Sequence, residues 1–108
     1  MKVHSELGPG FLESVYQEAL AIQFEKDGIP FLREKLLNVY FYGEPLKKKF
    51  KADFICYDKI IVELKSANFI HSANILQAKN YLKSTNFRLA LLVNFGEKSL
   101  NYKRVLNF

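Results

Sequence analysis

Cysteine is almost absent from this chain, because Cys56 is the single one among 108 residues. One thiol cannot close an internal disulfide and cannot build a cysteine-based zinc site, so domains stabilised in either of these ways are excluded. We expect Cys56 to be a buried apolar residue of a strand. An apolar run long enough to cross a bilayer and a signal-peptide pattern are missing as well. A cytoplasmic protein without a membrane partner is therefore the expectation.

Internal repeats, low-complexity stretches and linkers are also missing from the sequence. The chain is 49% hydrophobic and 15% aromatic, which is enough apolar surface for one core at this length. We therefore expect residues 1–108 to form a single domain.

Acidic residues are fewer than basic ones, 11 against 16, which leaves a net charge of +5. The densest basic run is Lys47, Lys48 and Lys49, followed by Lys51. For any one of these lysines a solvated surface position is the simpler interpretation. As a whole, the excess suits nucleic acid, although other acidic partners would fit it too.

The spacing of apolar residues predicts one helix over 11–26, after a loop at 7–10, and a second helix over 71–83. Stretches rich in β-forming residues predict strands at 31–42, 49–56, 60–65, 87–94 and 102–108. The strand over 87–94 is apolar throughout, which indicates burial on both faces. The order predicts an α/β fold with an α-β-β-β-α-β core, in which helices flank a mixed sheet.

The most informative pattern is formed by Asp53, Glu63 and Lys65, which lie on two successive predicted strands. Glu63 and Lys65 share one face of their strand, because side chains alternate with a period of two. Two convergent carboxylates suit a hard divalent cation, and a nearby lysine suits a phosphate or an attacking water. The pattern indicates metal-dependent cleavage of a phosphodiester. The alternative is a salt-bridged sheet in which Lys51 and Lys65 are the cationic partners.

The register of this hairpin follows from burial. A loop over 57–59 pairs Phe54 with Val62, so that apolar residues meet and Asp53 meets Glu63; a two-residue loop would put Phe54 opposite Glu63. Strict alternation then divides the first strand into two faces: Phe50, Ala52, Phe54 and Cys56 on one, and Lys49, Lys51, Asp53 and Ile55 on the other.

This strand order, with an acid on one strand and Glu63-x-Lys65 on the next, resembles the PD-(D/E)xK nuclease superfamily. The run from Gly10 to Tyr16 reads Gly-x-x-Glu-x-x-Tyr and looks like the GxxExxY family, a small PD-(D/E)xK-like family. Gln77-x-x-x-Tyr81 is similar to a motif of the RecB and lambda-exonuclease branch. Any one motif is weak, but four in this order, between about residues 4 and 104, are specific for the fold.

The sequence departs from the superfamily at two points. Ala52 stands where the superfamily name expects proline, which would carry no metal ligand. The chain also begins close to the Gly-x-x-Glu-x-x-Tyr motif, so we expect no helical turn before it.

The resemblance implies a restriction-endonuclease-like fold and a Mg²⁺ or Mn²⁺ cofactor. Asp53 and Glu63 would be direct ligands, with the backbone carbonyl of Leu64 as a third, and Lys65 would orient a water or offset charge in the transition state. Glu13 would join the catalytic set as a ligand, through a water molecule in one arrangement. From the residues alone, Glu13 is a first-turn acid favoured by the helix dipole.

Four further residues are candidates. The resemblance implies that His4 is an added metal ligand, as histidines are in some RecB-like nucleases. Gln77 and Tyr81 share a helix face, so they would contact a phosphate or form an ordinary amphipathic boundary. Lys51 would guide the substrate backbone towards Asp53.

The first functional hypothesis is therefore a divalent-metal-dependent nuclease that acts on DNA. The alternatives are a nucleic-acid-binding module that keeps the nuclease fold without significant catalysis, and a small protein-interaction module. A domain of this size has little surface with which to grip a duplex, so a homodimer or a protein partner is expected.

Overall fold

A computed structural model describes residues 2–107. The described residues form three helices and five strands, in the order α1 (Lys2–Leu7), α2 (Glu13–Lys26), β1 (Phe31–Phe41), β2 (Glu44–Cys56), β3 (Ile60–Lys65), α3 (Ser72–Thr85), β4 (Leu89–Asn94) and β5 (Asn101–Leu106). Both long predicted helices and all five predicted strands are present. No helix within 2–107 is long and apolar enough to span a membrane.

The five strands form one mixed sheet in the order β1-β2-β3-β4-β5. Neighbouring strands are antiparallel except β3 and β4, which are parallel and are joined through α3. Two parallel strands need such a crossover connection, and α3, the second of the two predicted helices, provides it. The predicted mixed sheet with flanking helices is confirmed, and β3 lies at its centre.

Each face of the sheet carries a separate hydrophobic cluster. One cluster lies under α1 and α2 and contains Tyr16, Leu20 and Phe95, and the other lies under α3 and contains Ala78 and Leu82. β4 supplies residues to both clusters, as its continuous apolar sequence predicts. The two clusters make β3 and β4 the buried centre on which a site can be held rigidly.

The hairpin register was predicted correctly, but the strict alternation of β2 was wrong. Phe54 pairs with Val62, as expected, but the ladder ends at this pair and the predicted pairing of Asp53 with Glu63 is not part of it. However, Ala52 and Ile55 both belong to the cluster under α3, whereas Phe54 belongs to the cluster under α2. The faces of β2 therefore exchange at Asp53.

The physical reason lies on the neighbouring strand. Glu34 is positioned opposite Asp53, between the pairs Arg33–Phe54 and Lys35–Ala52, and it has a φ of 52°. Positive φ is uncommon for a residue with a side chain and reorients the backbone locally. β1 changes faces at the same place, since Phe31 packs under α2 and Leu37 under α3. This paired irregularity leaves Asp53 between the two faces of the sheet.

Other elements also differ from the prediction. A helix, α1, does precede the Gly-x-x-Glu-x-x-Tyr motif. It is held against the domain by Val3, which is buried in the cluster under α1 and α2. β2 begins at Glu44 rather than at residue 49, since it pairs with β1 as far as Phe41. β5 is an edge strand as predicted, but it ends at Leu106 and does not continue through Asn107; residue 108 lies outside the described residues.

The first hairpin extends beyond the rest of the sheet. The ladder between β2 and β3 covers Phe54–Cys56, whereas β2 starts ten residues before Phe54. Residues 38–49, which we call the hairpin arm, therefore form a two-stranded projection made of β1, β2 and their turn. The longest dimension of the molecule is 44 Å, against 30 and 24 Å for the others.

Candidate active site

Glu63 lies on the central strand and points to the face that α3 covers. It lines a cavity of about 30 Å³, large enough for a water molecule. The cavity is enclosed by Phe50, Ile61, Glu63, Lys65, Asn74, Gln77, Ala78, Tyr81, Ala90 and Leu92. The structure thus brings together four of the predicted site residues, from β3 and α3, around one small space.

The carboxyl group of Glu63 is in an unusual electrostatic environment. Its pKa is raised to about 8, mainly by burial and then by the negative charge of Asp53 and a hydrogen bond with that side chain. Lys65 and a backbone hydrogen bond from Asp53 act in the opposite direction. In addition, Oε1 of Glu63 is buried and has no hydrogen-bond partner among the described residues. Such an orphaned oxygen is costly, and it indicates a missing positive or hydrogen-bonding partner.

Asp53 is fixed by two donors, one at each carboxylate oxygen. The backbone N–H of Leu64 donates to Oδ2 at 2.8 Å, and Nε2 of Gln17 donates to Oδ1 at 3.0 Å. Leu64 therefore contributes its N–H to the site, while a role for its carbonyl oxygen as a ligand stays a prediction. The side chain of Asp53 also shares a hydrogen bond with the carboxyl group of Glu63.

Gln17 and Arg33 are functional candidates that sequence reasoning missed. Nε of Arg33 donates to Oε1 of Gln17 at 2.9 Å, so that α2 and β1 together orient the amide towards Asp53. Gln17 is 6% exposed, which is unusual for an amide side chain. The helical spacing in the sequence could have revealed Gln17. It lies three residues before Leu20 and four before Ala21, so it shares the buried face of the helix with them.

Tyr81 closes the cavity against β2. Its ring stacks on Phe50 with a centroid distance of 3.9 Å and an interplanar angle of 13°. Tyr81 is therefore partly a packing residue, while Gln77, one turn earlier, is exposed at the rim of the cavity. Lys51 is exposed on β2, two residues before Asp53.

Glu13 is placed in a separate depression rather than in the cavity of Glu63. Its Oε2 accepts a hydrogen bond of 3.2 Å from the backbone N–H of Ser66, the residue after Lys65. The depression has a volume of about 630 Å³ and is formed by the start of α2, residues 66–68 and Gly96. Glu13 therefore lies against the end of the same strand, and its role as a ligand stays a prediction.

His4 is a buried residue of α1 and has a structural contact. Its Nε2 lies 2.8 Å from the carbonyl oxygen of Glu97, which can only accept, so Nε2 must carry the proton. Among residues 2–107, no three or more His, Cys, Asp or Glu side chains form a group that could hold a metal. The structure consequently brings Asp53 and Glu63 together without His4 or Glu13 as a third side chain.

The fold and the two adjoining carboxylates agree with the protein family that the chain matches. The profile of the PD-(D/E)XK nuclease superfamily matches residues 1–105. The chain belongs to the PD-(D/E)XK nuclease superfamily. Among curated proteins, no match is found.

Two solved structures share the fold. A crystal structure of SSO0001 superposes with a TM-score of 0.65 at 17% identity, covering 87% of this chain and 49% of that one. The alkaline exonuclease LHK-Exo from Laribacter hongkongensis superposes with a TM-score of 0.62 at 12% identity, covering 88% of this chain and 56% of that one. The chain thus spans about half the length of these two proteins.

Proposed function

We propose that this protein is a nuclease that hydrolyses phosphodiester bonds in DNA with the help of Mg²⁺ or Mn²⁺. The observation that carries the proposal is the environment of Glu63 beside Asp53 and Lys65, where Oε1 of Glu63 is buried and has no hydrogen-bond partner within residues 2–107. The narrower assignment to the GxxExxY family is part of the proposal and is supported by Gly10, Glu13 and Tyr16.

The residues present fit a divalent cation. Two adjoining carboxylates repel each other, which is one cause of the raised pKa of Glu63, and a cation between them would remove that repulsion. Asp53 and Glu63 would hold the ion, together with the carbonyl of Leu64 and with Glu13 through a water molecule. Both ions prefer such oxygen ligands. When bound, the ion would polarise the phosphate and lower the pKa of a bound water.

The other residues of the cavity would act on the substrate. The ammonium group of Lys65 would offset the negative charge that develops on the phosphate or orient the attacking water. The amide of Gln77, exposed at the rim, would donate to a phosphate oxygen, and Tyr81 would keep α3 in place through its stack on Phe50. Lys51 would hold the DNA backbone close to Asp53.

A binding module that keeps the fold without significant catalysis is the second candidate. One observation favours it, namely that no third acidic or histidine side chain joins Asp53 and Glu63 within the described residues. A protein partner or a second copy could supply further contacts, since the chain spans about half of either structural neighbour.

Cleavage assays with matched variants test the proposal. Plasmid and single-stranded DNA are incubated with Mg²⁺, Mn²⁺ or a chelator, using the wild type, Lys65→Ala and Lys79→Ala. Lys79 is exposed on α3 and does not line the cavity. We expect metal-dependent cleavage by the wild type and Lys79→Ala, and a loss of roughly 100- to 1,000-fold in Lys65→Ala. Binding of DNA without cleavage under any metal would instead establish the second candidate.

A further inference from the structure

The end of the hairpin arm presents three consecutive aromatic side chains to solvent. Tyr40, Phe41 and Tyr42 are 43%, 63% and 92% exposed. The rings of Phe41 and Tyr42 meet edge to face, with centroids 4.6 Å apart. None of the three belongs to either hydrophobic cluster among the described residues. Their apolar surface therefore contributes little to the core of this chain.

The conformation of the turn makes Tyr42 costly there. Tyr42 and Gly43 connect the two strands and have φ values of 49° and 79°. Two-residue hairpin turns with positive φ at both positions strongly prefer Asn-Gly, because a bulky side chain is strained in this region. The sequence places a tyrosine there, although an asparagine would fold at least as well. Folding stability alone does not explain this residue.

Positive charge accompanies the aromatic side chains. Residues 38–51 contain four lysines, at positions 47, 48, 49 and 51, against the single acid Glu44. All four lysines are exposed. Two copies of the arm would repel each other when packed together, so this surface does not suit a second copy of the chain. It is complementary to a polyanion.

We propose that the hairpin arm binds single-stranded nucleic acid, with unpaired bases stacked on Phe41 and Tyr42 and phosphates held by Lys47–Lys49. Exposed aromatic rings beside positively charged side chains suit single-strand binding, because every base has a π-face and every phosphate a negative charge. A duplex hides these faces, so the arm would favour unpaired strands or frayed ends. The inference also specifies that the substrate of the cavity of Glu63 is a single strand, and to that extent it rests on the proposed function.

The arm is continuous with that cavity. Lys49, its last residue, is followed directly by Phe50, which stacks on Tyr81 and lines the cavity. The distance along the strand from Tyr42 to Phe50 is at most roughly 26 Å. A strand held on the arm would therefore be led along β2 towards Glu63 and Lys65.

Binding of a fluorescein-labelled oligothymidylate, measured by anisotropy in a chelator, tests the arm without any cleavage. The variants are Tyr42→Asn, Tyr42→Phe and the matched control Tyr57→Asn. Tyr57 follows the other end of β2, is 52% exposed and has a φ of 55°. We expect Tyr42→Asn to weaken binding roughly 5- to 150-fold, with the other two variants equal to the wild type. Affinity for a blunt duplex should be the same in all four proteins, and Tyr42→Asn should melt no lower than the wild type.

Each other outcome has a defined meaning. Equal binding by Tyr42→Asn and the wild type, or no binding by the wild type, overturns the arm proposal. Equal weakening by Tyr57→Asn overturns it too, because the effect would not belong to the arm. If Tyr42→Asn instead abolishes self-association in sedimentation and keeps oligonucleotide binding, the arm is a protein interface and the proposal is wrong. If Tyr42 is required for binding but no metal supports cleavage, the arm proposal stands and the nuclease proposal fails.

Discussion

Asp53 accepts a hydrogen bond of 2.8 Å from the backbone N–H of Leu64, so a side-chain oxygen continues the pairing of β2 with β3 beyond Phe54–Val62. A buried backbone N–H needs an acceptor, and here the catalytic candidate supplies it. The bond ties the orientation of the Asp53 carboxylate to the backbone of the central strand.

Removing the carboxylate charge should abolish metal binding. Asp53→Asn keeps the size of the side chain but removes the charge that a divalent cation needs. We expect calorimetry with Mn²⁺ to show binding by the wild type and none by the variant. Asp58→Asn is the matched control, because Asp58 lies in the β2–β3 turn with a φ of 55°, which asparagine tolerates. Equal binding by Asp53→Asn and the wild type would count against the site.

Gln17 should act as a positioning residue for Asp53. Gln17→Met keeps the buried volume and removes the amide that joins Arg33 to Asp53. We expect Mn²⁺ affinity to fall about 10- to 100-fold, as is usual when a partner of a ligand is lost. Gln23→Met, at an exposed hydrogen bond to Asp27, should leave the affinity unchanged. A lower melting temperature with unchanged affinity would show that Gln17 has a structural role only.

The raised pKa of Glu63 predicts a definite pH dependence. Its carboxyl has a pKa of about 8 in the folded chain, against an ordinary value of 4.5. A raised pKa means stability that is fully present below the ordinary value and is lost as the pH rises through about 8. In a chelator, the free energy of unfolding of the wild type should therefore decline with pH relative to that of Glu63→Gln. Parallel curves for the two proteins across about pH 6 to 9 would contradict the assignment.

The same proton should compete with the metal. Because a cation binds the ionised carboxylate, the apparent affinity for Mn²⁺ should rise with pH until Glu63 is ionised, near pH 8. Isothermal titration at several pH values in two buffers would also measure the proton released on binding. A pH-independent affinity without proton release would mean that Glu63 is not a ligand.

Binding to nucleic acid should depend on salt through the lysines of β2. Each phosphate contact releases counterions, so Lys48→Ala should reduce the slope of log affinity against log salt by about one unit at most. Lys26→Ala, at the end of α2, is the control, because it lowers the net charge by the same amount as Lys48→Ala. An equal reduction by both variants would indicate a general charge effect rather than a contact on β2.

Local features of the sequence determined much of the fold. Period-two alternation and the 57–59 loop determined the pairing of Phe54 with Val62, because only this register buries both side chains. The apolar run of β4 likewise predicted burial on both faces. The acid-x-base spacing identified Glu63 and Lys65 as neighbours on one face of β3, because it depends only on strand geometry, and both residues line the cavity.

Tertiary structure decided what depends on contacts between distant segments. The left-handed backbone of Glu34 reverses the faces of two strands at once, and no periodicity within β2 could show this. The support of Asp53 by Gln17 and Arg33 joins α2, β1 and β2, which are separate in sequence. The sequence alone thus determined which carboxylates would meet, because local geometry controls hairpin pairing. Only the packed structure decided how they are held and that Glu13 lies in a neighbouring depression, because those positions result from packing helices on the completed sheet.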